Sequence, residues 1–451
     1  METKKKGYPK AFWACAFTEI FERLAYYLGR SLILIFVTAS IAEGGLGLDD
    51  TVGANMQSNL TAFSYLLPLL GGVIVDRYIG AKYTTPVGML IAAVGYYMGS
   101  IATGTLGVYL MIFFVSAGLA LFKNGPIIGR VITDKAQMDS AFSIRYSMVN
   151  VGAFIGTFAV GILYKDVFAK DGVLGFVPCF KLAALMMVLG ALWYFFVCWR
   201  FLGNTAALPF KKTKTAEELE QEAKAKEAAK NEAKQPMTTS EKKRIGAIIV
   251  ASIFSIIFWI FWYLGYLPVY YYWAENANWV IAGYEVPATW FDAANSFFCV
   301  ILGPVVATLW KKLAARPQGD MSIFRKTALG ISTIGLGYIF YIIMDVVRGT
   351  GKISVIWILG FAFLLTLGEM FFSPLGHAFI SKYSPSRYLA IMMSVWGFAT
   401  FIAAKSYGYV YGWLFGGDLP FKTACGIVAV IAFGSAVIMV AMDKKLSALV
   451  D

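Results

Sequence analysis

A chain of 451 residues that is 59% hydrophobic and 16% aromatic, with a mean hydropathy of +0.66, is too apolar for a soluble globule of this length. Its formal net charge of +12 would suit a nucleic-acid binder, but the surplus lies in the connections between apolar runs, which is the signature of membrane topology. The five cysteines (Cys15, Cys179, Cys198, Cys299, Cys425) lie mostly in or beside those runs without metal-ligand spacing, so neither a disulfide framework nor a metal site is expected.

The first apolar run, AFWACAFTEIFERLAYYLGRSLILIFV, follows a basic METKKKGYPK. It is too long and too charged for a cleaved signal peptide and reads as an uncleaved first span. Glu19, Glu22, Arg23, Tyr26, Tyr27 and Arg30 fall on one helical stripe of it. A charge in the bilayer interior is costly, so it faces a partner or a water-filled cavity and marks an ion or substrate path. Spans are predicted over 11–40, 53–78, 83–102, 106–129, 140–164 and 178–202. The connection after the second, GGVIVDRYIGAKY, carries Asp76, Arg77, Gly80 and Lys82; the fourth carries a further intramembrane cation, Lys123.

The one long polar stretch, 203–243, is rich in helix formers with Glu220–Lys224 and Glu222–Lys226 at i,i+4, and reads as a solvated, partly helical linker. Six more spans follow at 245–272, 288–312, 325–347, 353–381, 388–412 and 420–442. With the N-terminus inside, one side of the membrane collects Lys4–Lys6, Arg77, Lys82, Arg130, Lys135, the linker lysines, Lys311, Lys312, Arg316, Arg325, Lys326, Lys382, Arg387, Lys444 and Lys445. The other side holds only Lys165, Lys170, Arg348 and Lys352, beside an acidic first loop (Glu43, Asp49, Asp50). Both termini and the linker are therefore expected in the cytoplasm. Asp292 and Asp345 lie near span ends and are expected to face water; Tyr270–Trp273 reads as an interfacial belt. His377, two turns beyond Glu369, is expected to be a polar interfacial or gate residue rather than a proton relay.

An all-α integral membrane protein of twelve helices, in bundles 1–202 and 244–451, has the layout of the major facilitator superfamily, whose halves rock around a midplane site. The loop with Asp76, Arg77, Gly80 and Lys82 resembles that superfamily's gating loop, with Ala81 where a basic residue is usual. Within it the chain resembles the proton-dependent oligopeptide transporter (POT) family. EIFERLAYYLGR resembles the first-helix ExxER motif, SYLLPLLGG places Tyr65, ALFKNGPIIG gives Lys123, and FSIRYSMVNVGAFIG gives Tyr146 and Asn150. VPATWFDAANSFFCVILGP gives Asn295, LGEMFFSPLG gives Glu369, Ser373 and Pro374, and MMSVWGF gives Trp396. Departures are Tyr263 and Leu264 where the family often has an acid and a glutamine, Arg145 for an aromatic, and Lys405 near a usual asparagine. The two extra helices common between the halves of bacterial members are absent from the pattern.

The resemblance implies a proton-coupled importer of di- and tripeptides, not an enzyme, with protons as coupling ion and no other cofactor. Arg30 and Lys123 would hold the peptide carboxylate and Glu369 the ammonium, with Tyr27, Tyr65, Tyr146, Asn150, Asn295, Ser373 and Trp396 between them. Glu19, Glu22, Arg23 and Lys123 would couple protons, Glu22 exchanging between a proton and Lys123. Partners would be small peptides, protons and the bilayer of the cell membrane, without nucleic acid, and the chain a monomer. The bland alternative for the charged stripe is a buried ion-pair network that only holds helices together, and for the aromatics plain packing. The basic bias of Arg30, Lys123, Arg145 and Lys405 keeps open a cargo of nitrate, another small anion or a peptide-like compound, and a receptor without turnover stays open too. No nucleophile–base constellation supports an enzyme.

Overall fold

A computed structural model describes residues 7–132, 135–209, 237–317, 320–373 and 375–450. The expected linker pairs at 220–226, the linker lysines from 211 on, Lys4–Lys6, Pro374 and the side chains of Lys135 and His377 lie outside the described residues. In chain order the first helices are α1 (Lys10–Thr38), α2 (Asp50–Arg77), α3 (Ala81–Ser100), α4 (Thr105–Leu121), α5 (Asn124–Val131), α6 (Lys135–Ile162) and α7 (Phe176–Trp193). After the polar stretch come α8 (Thr239–Leu264), α9 (Trp290–Ala314), α10 (Ile323–Arg348), α11 (Ile356–Phe372), α12 (Leu375–Tyr383), α13 (Leu389–Phe415) and α14 (Phe421–Val450). Hydrocarbon offers the backbone no hydrogen-bond partner, so apolar runs of this length close their bonds internally as helices. Eight helical stretches among the described residues are long and apolar enough to cross a membrane. The first helix is not one of them, because its four charges interrupt the apolar window. Taking α4 with α5 and α11 with α12 as single interrupted runs, the described helices make twelve.

The break between α4 and α5 has a local cause. Pro126 has no N–H for the Phe122 carbonyl, and its ring would clash with that carbonyl in a continuous helix, so α4 stops at Leu121 and α5 restarts at Asn124. Two further expectations on boundaries shift. The helix expected from 245 begins at Thr239, where Thr238 and Glu241 form a capping box and Glu241 also pairs with Arg387. Residues 203–207, expected as solvated linker, instead pack on the α2–α3 turn, with Ala206 only 2% exposed.

The chain divides into two compact units. Of the described residues, 7–49 and 59–209 form one and 50–58 and 237–450 the other, so the first two turns of α2 belong with the second unit. There, Gly408 and Gly412 of α13 and Gly416 at its C-terminal end leave room for Thr51, Ala54 and Asn55. The core of the first unit gathers Phe12, Cys15, Val75, Ile127, Ile128, Tyr194 and Leu202. Large apolar side chains such as Leu106, Phe113, Phe196, Val430 and Val437 stay exposed, as lipid-facing positions do. The second unit also carries a short hairpin, Val280–Ile281 with Tyr284–Glu285, turned by Ala282 and Gly283, both at positive φ.

Candidate functional site

Helices within the first unit meet at glycines, which is how van der Waals packing replaces hydrophobic attraction in lipid. A Cβ on Gly152 or Gly156 of α6 would lie 2.8 Å and 2.5 Å from the Ile20 and Leu24 carbonyls of α1. That contact fixes α6 beside the charged stripe, and two turns before Gly152, Arg145 reaches Glu19. Glu19 is buried, and its Oε1 accepts from Arg145 Nε at 2.6 Å and from Asn124 Nδ2 at 3.0 Å. Glu22 is fully buried and is held by both Nε and Nη2 of Arg23, whose guanidinium lies 4.8 Å from the Tyr26 ring centre. Tyr27 stands edge-on to Tyr26. Arg30, 5% exposed, donates to Thr61 of α2 at 3.4 Å.

Lys123 sits in the α4–α5 break and donates its Nζ to the Pro68 carbonyl at 2.6 Å. The expected Glu22–Lys123 pair is therefore replaced in this structure by Glu22–Arg23 and Lys123–Pro68. The reason is position: the adjacent arginine curls back over its own helix, while the lysine finds a carbonyl of the proline-containing α2. Tyr65 and Tyr146 are well exposed, and Asn150 donates to the Tyr146 carbonyl one turn back.

The loop expected to gate is built by close approach. A Cβ on Gly80 would meet the Ala207 carbonyl oxygen at 2.1 Å, so only glycine fits. Lys82 donates its Nζ to the Gly203 carbonyl, its N–H to the Ala206 carbonyl at 3.0 Å, and its carbonyl receives Trp199 Nε1 at 3.1 Å. Asp76 and Arg77 are exposed beside it.

In the second unit Asn295 and Cys299, one turn apart on α9, face Thr366 and Glu369, one turn apart on α11. Asn295 Nδ2 donates to Thr366 Oγ1 at 2.9 Å and to Glu369 Oε2 at 3.1 Å, and Cys299 Sγ stands 3.8 Å from the same oxygen. No cation of its own unit lies within ion-pair distance of Glu369 among the described residues. Ser373 caps α11 by bonding its N–H to the Glu369 carbonyl, and Trp396 stacks near Phe372, its ring filling the space beside Gly376. Tyr263 stacks on Tyr407, Leu264 is buried, and Lys405 Nζ reaches the Tyr409 hydroxyl at 3.4 Å.

Some expectations are corrected. Asp292 and Asp345 are 5% and 7% exposed rather than solvated. Tyr270 donates its hydroxyl to Asp292, and Tyr272 and Arg348 both bind Asp345, because the chain after α8 folds inward instead of leaving along the interface. Tyr270, Tyr271 and Trp273 are accordingly buried, not an exposed belt. Sequence reasoning passed over Asn124, Cys299 and Thr366; each lies one residue, one turn or three residues from a singled-out position, which is the signal that marks them. Metal-ligand clusters are absent among the described residues.

Residues 204–414 match the POT family. That match takes in the polar stretch and most of the second unit. The whole chain superposes on the crystal structure of peptide transporter POT in complex with sulfate with a TM-score of 0.86, at 24% identity, covering 100% of this chain and 97% of that one. The chain is 24% identical over 437 residues to the uncharacterized transporter YclF of Bacillus subtilis, covering 89% and 87% of the two. It is 23% identical over 499 residues to the peptide transporter YePEPT of Yersinia enterocolitica, covering 98% and 95%. A di-/tripeptide transporter of Lactococcus lactis is 22% identical over 458 residues, covering 86% of each. A POT family transporter in complex with 5-aminolevulinic acid gives a TM-score of 0.84 at 22% identity, covering 98% of both chains. The chain thus shares the all-α, multi-pass membrane fold of those transporter structures.

Proposed function

We propose that the chain imports di- and tripeptides together with protons across the cell membrane by alternating access, as a monomer with both termini in the cytoplasm and no cofactor besides the coupling proton. The observation that carries this reading is the division of charge: the first unit presents Arg30 and Lys123, and the second presents Glu369, which pairs with no cation of its own unit among the described residues. A zwitterion needs both ends met, and the two units between them carry charges of both signs, as the differential binding of alternating access requires. Relatives with peptide transporter names support the cargo.

Arg30 grips the carboxylate with its planar fork and Lys123 adds a point charge. Glu369 takes the ammonium, oriented by Asn295. Tyr27, Tyr65, Tyr146, Asn150, Ser373 and Trp396 give the tolerant middle. Glu22 is the proton carrier: a proton there removes the charge that holds Arg23 and frees the guanidinium. Glu19, locked to Arg145 and Asn124, positions this pair. Asp76, Arg77, Gly80 and Lys82 form the gating loop.

The test is uptake of labelled dialanine and trialanine into proteoliposomes under an inward proton gradient. Accumulation that needs the gradient, is lost in Glu22→Gln, and leaves counterflow exchange intact supports the reading. Undiminished gradient-driven uptake by Glu22→Gln refutes the proton role, and no uptake of either peptide by folded protein refutes the cargo.

A further inference from the structure

A cavity of about 390 Å³ opens where α4 gives way to α5, walled in part by Phe122, Lys123, Asn124, Gly125, Phe142 and Arg145. Four features of its wall converge. Lys123 Nζ bonds a neutral carbonyl and, among the described residues, no carboxylate. Arg145 spends only its Nε on Glu19, which leaves its two terminal nitrogens without a bonded partner among the described residues. The guanidinium lies flat on Gly125, where a Cβ would come within 3.2 Å of its central carbon. The N-terminal turn of α5 starts at the same wall, and the first-turn amides of Asn124 and Gly125 have no acceptor inside the helix.

A fifth feature points to a ligand directly. Asn124 is 1% exposed; its Nδ2 serves the Cys15 carbonyl and Glu19, while its Oδ1 is buried without a partner. A buried acceptor left open costs free energy until a donor arrives. The cavity thus asks for a group with negative charge and an N–H or O–H beside it. Glu19, behind Arg145 and 2% exposed, cancels one of the two positive charges, and Asp76, which acts on Lys123 through space without bonding it, offsets part of the other. The apolar walls of Phe122 and Phe142 keep the remainder effective by thinning the water around it.

We propose that this cavity is an oxyanion subsite, centred on Arg145, that adjoins the carboxylate grip of Arg30 and Lys123 and shares Lys123 with it. It takes either the side-chain carboxylate of an acidic peptide, whose neighbouring amide N–H meets Asn124, or a free hydrogen phosphate, whose O–H does the same. In the first case it gives the transporter a preference for acidic cargo, an inference that rests on the peptide reading above; the second does not rest on it. Arg145 is then a specificity residue that touches the ligand, and Gly125 the residue that makes room for it.

The experiment measures ligand-induced thermal stabilisation of the purified full chain by alanyl-aspartate, dialanine and inorganic phosphate. Wild type is compared with Arg145→Gln, Arg145→Lys and the charge-matched double variant Glu19→Gln/Arg145→Gln, which keeps the test open where the single change leaves Glu19 unpaired and the protein unfolded. The expected result is a fall of tenfold or more in the alanyl-aspartate to dialanine affinity ratio, or in phosphate affinity, in the Gln variants, with the Lys variant in between. The responding ligand names the source. A ratio and a phosphate affinity both within twofold of wild type overturn the subsite. If neither dipeptide binds, the peptide reading fails and phosphate alone decides: binding lost with Arg145 supports the subsite, while binding that is absent or indifferent to Arg145 overturns it.

Discussion

Glu369→Gln isolates the ammonium half of the proposed site. The substitution keeps the shape and keeps an acceptor for Asn295, whose Nδ2 now lies 3.1 Å from Oε2 and 2.9 Å from Thr366 Oγ1. What it removes is the negative charge, which no cation of its own unit balances among the described residues. A hydrogen bond to a charged partner is worth about 1.5–3 kcal/mol, so a free ammonium should lose about 10- to 150-fold in affinity. An N-acetylated dipeptide has no ammonium and should change by less than about twofold, since no charged bond is lost. The assay is competition by dialanine and N-acetyl-dialanine against a labelled dipeptide in counterflow, which avoids the proton step. Equal losses for both competitors, or no loss for either, refute the assignment of Glu369 to the amine.

Three further outcomes follow from packing. Gly88→Ala places a Cβ 2.5 Å from the Gly118 carbonyl oxygen between α3 and α4 and should cost about 1–3 kcal/mol in unfolding of the purified protein, whereas Gly303→Ala, with open space around it, should be neutral or stabilising. Gly80→Ala should destabilise by about 1–3 kcal/mol through its clash with the Ala207 carbonyl, and dislodge the grip of Lys82 on Gly203, read as reduced uptake with normal membrane insertion. Tyr270→Phe strips buried Asp292 of its phenolic donor and should lower stability by about 1–3 kcal/mol in a thermal melt; an unchanged melt would show that Asp292 finds another donor.

The charged stripe was legible in the sequence because four ionisable residues in one apolar run have a single periodic explanation. Which partner each took was not, because partners are chosen by helix packing. Glu19 found Arg145 through the glycine contact of α6, and Lys123 found a carbonyl of α2. The break at Lys123 could be read from Pro126, whose missing N–H acts locally. The start of α8 was written in the Thr238–Glu241 spacing and overlooked beside the hydropathy of the run that follows. Asp292 and Asp345 misled because distance from a span end says nothing of where a neighbouring tyrosine will point.

The Glu19–Arg145 bond spans 126 residues of sequence, and that separation bears on how the chain enters the membrane. On an insertion scale each mid-helix charge costs about 2.5–3.5 kcal/mol, so four of them make α1 on its own unfavourable by on the order of 10 kcal/mol before its leucines and phenylalanines offset part of it. Synthesis at about 5–20 residues per second delivers Arg145 only about 6–25 s after Glu19. Glu22 and Arg23 already pair within α1, so through that interval it is Glu19 that lacks its cation. Full settling of the first helix into lipid is therefore expected only once the fifth span has been made.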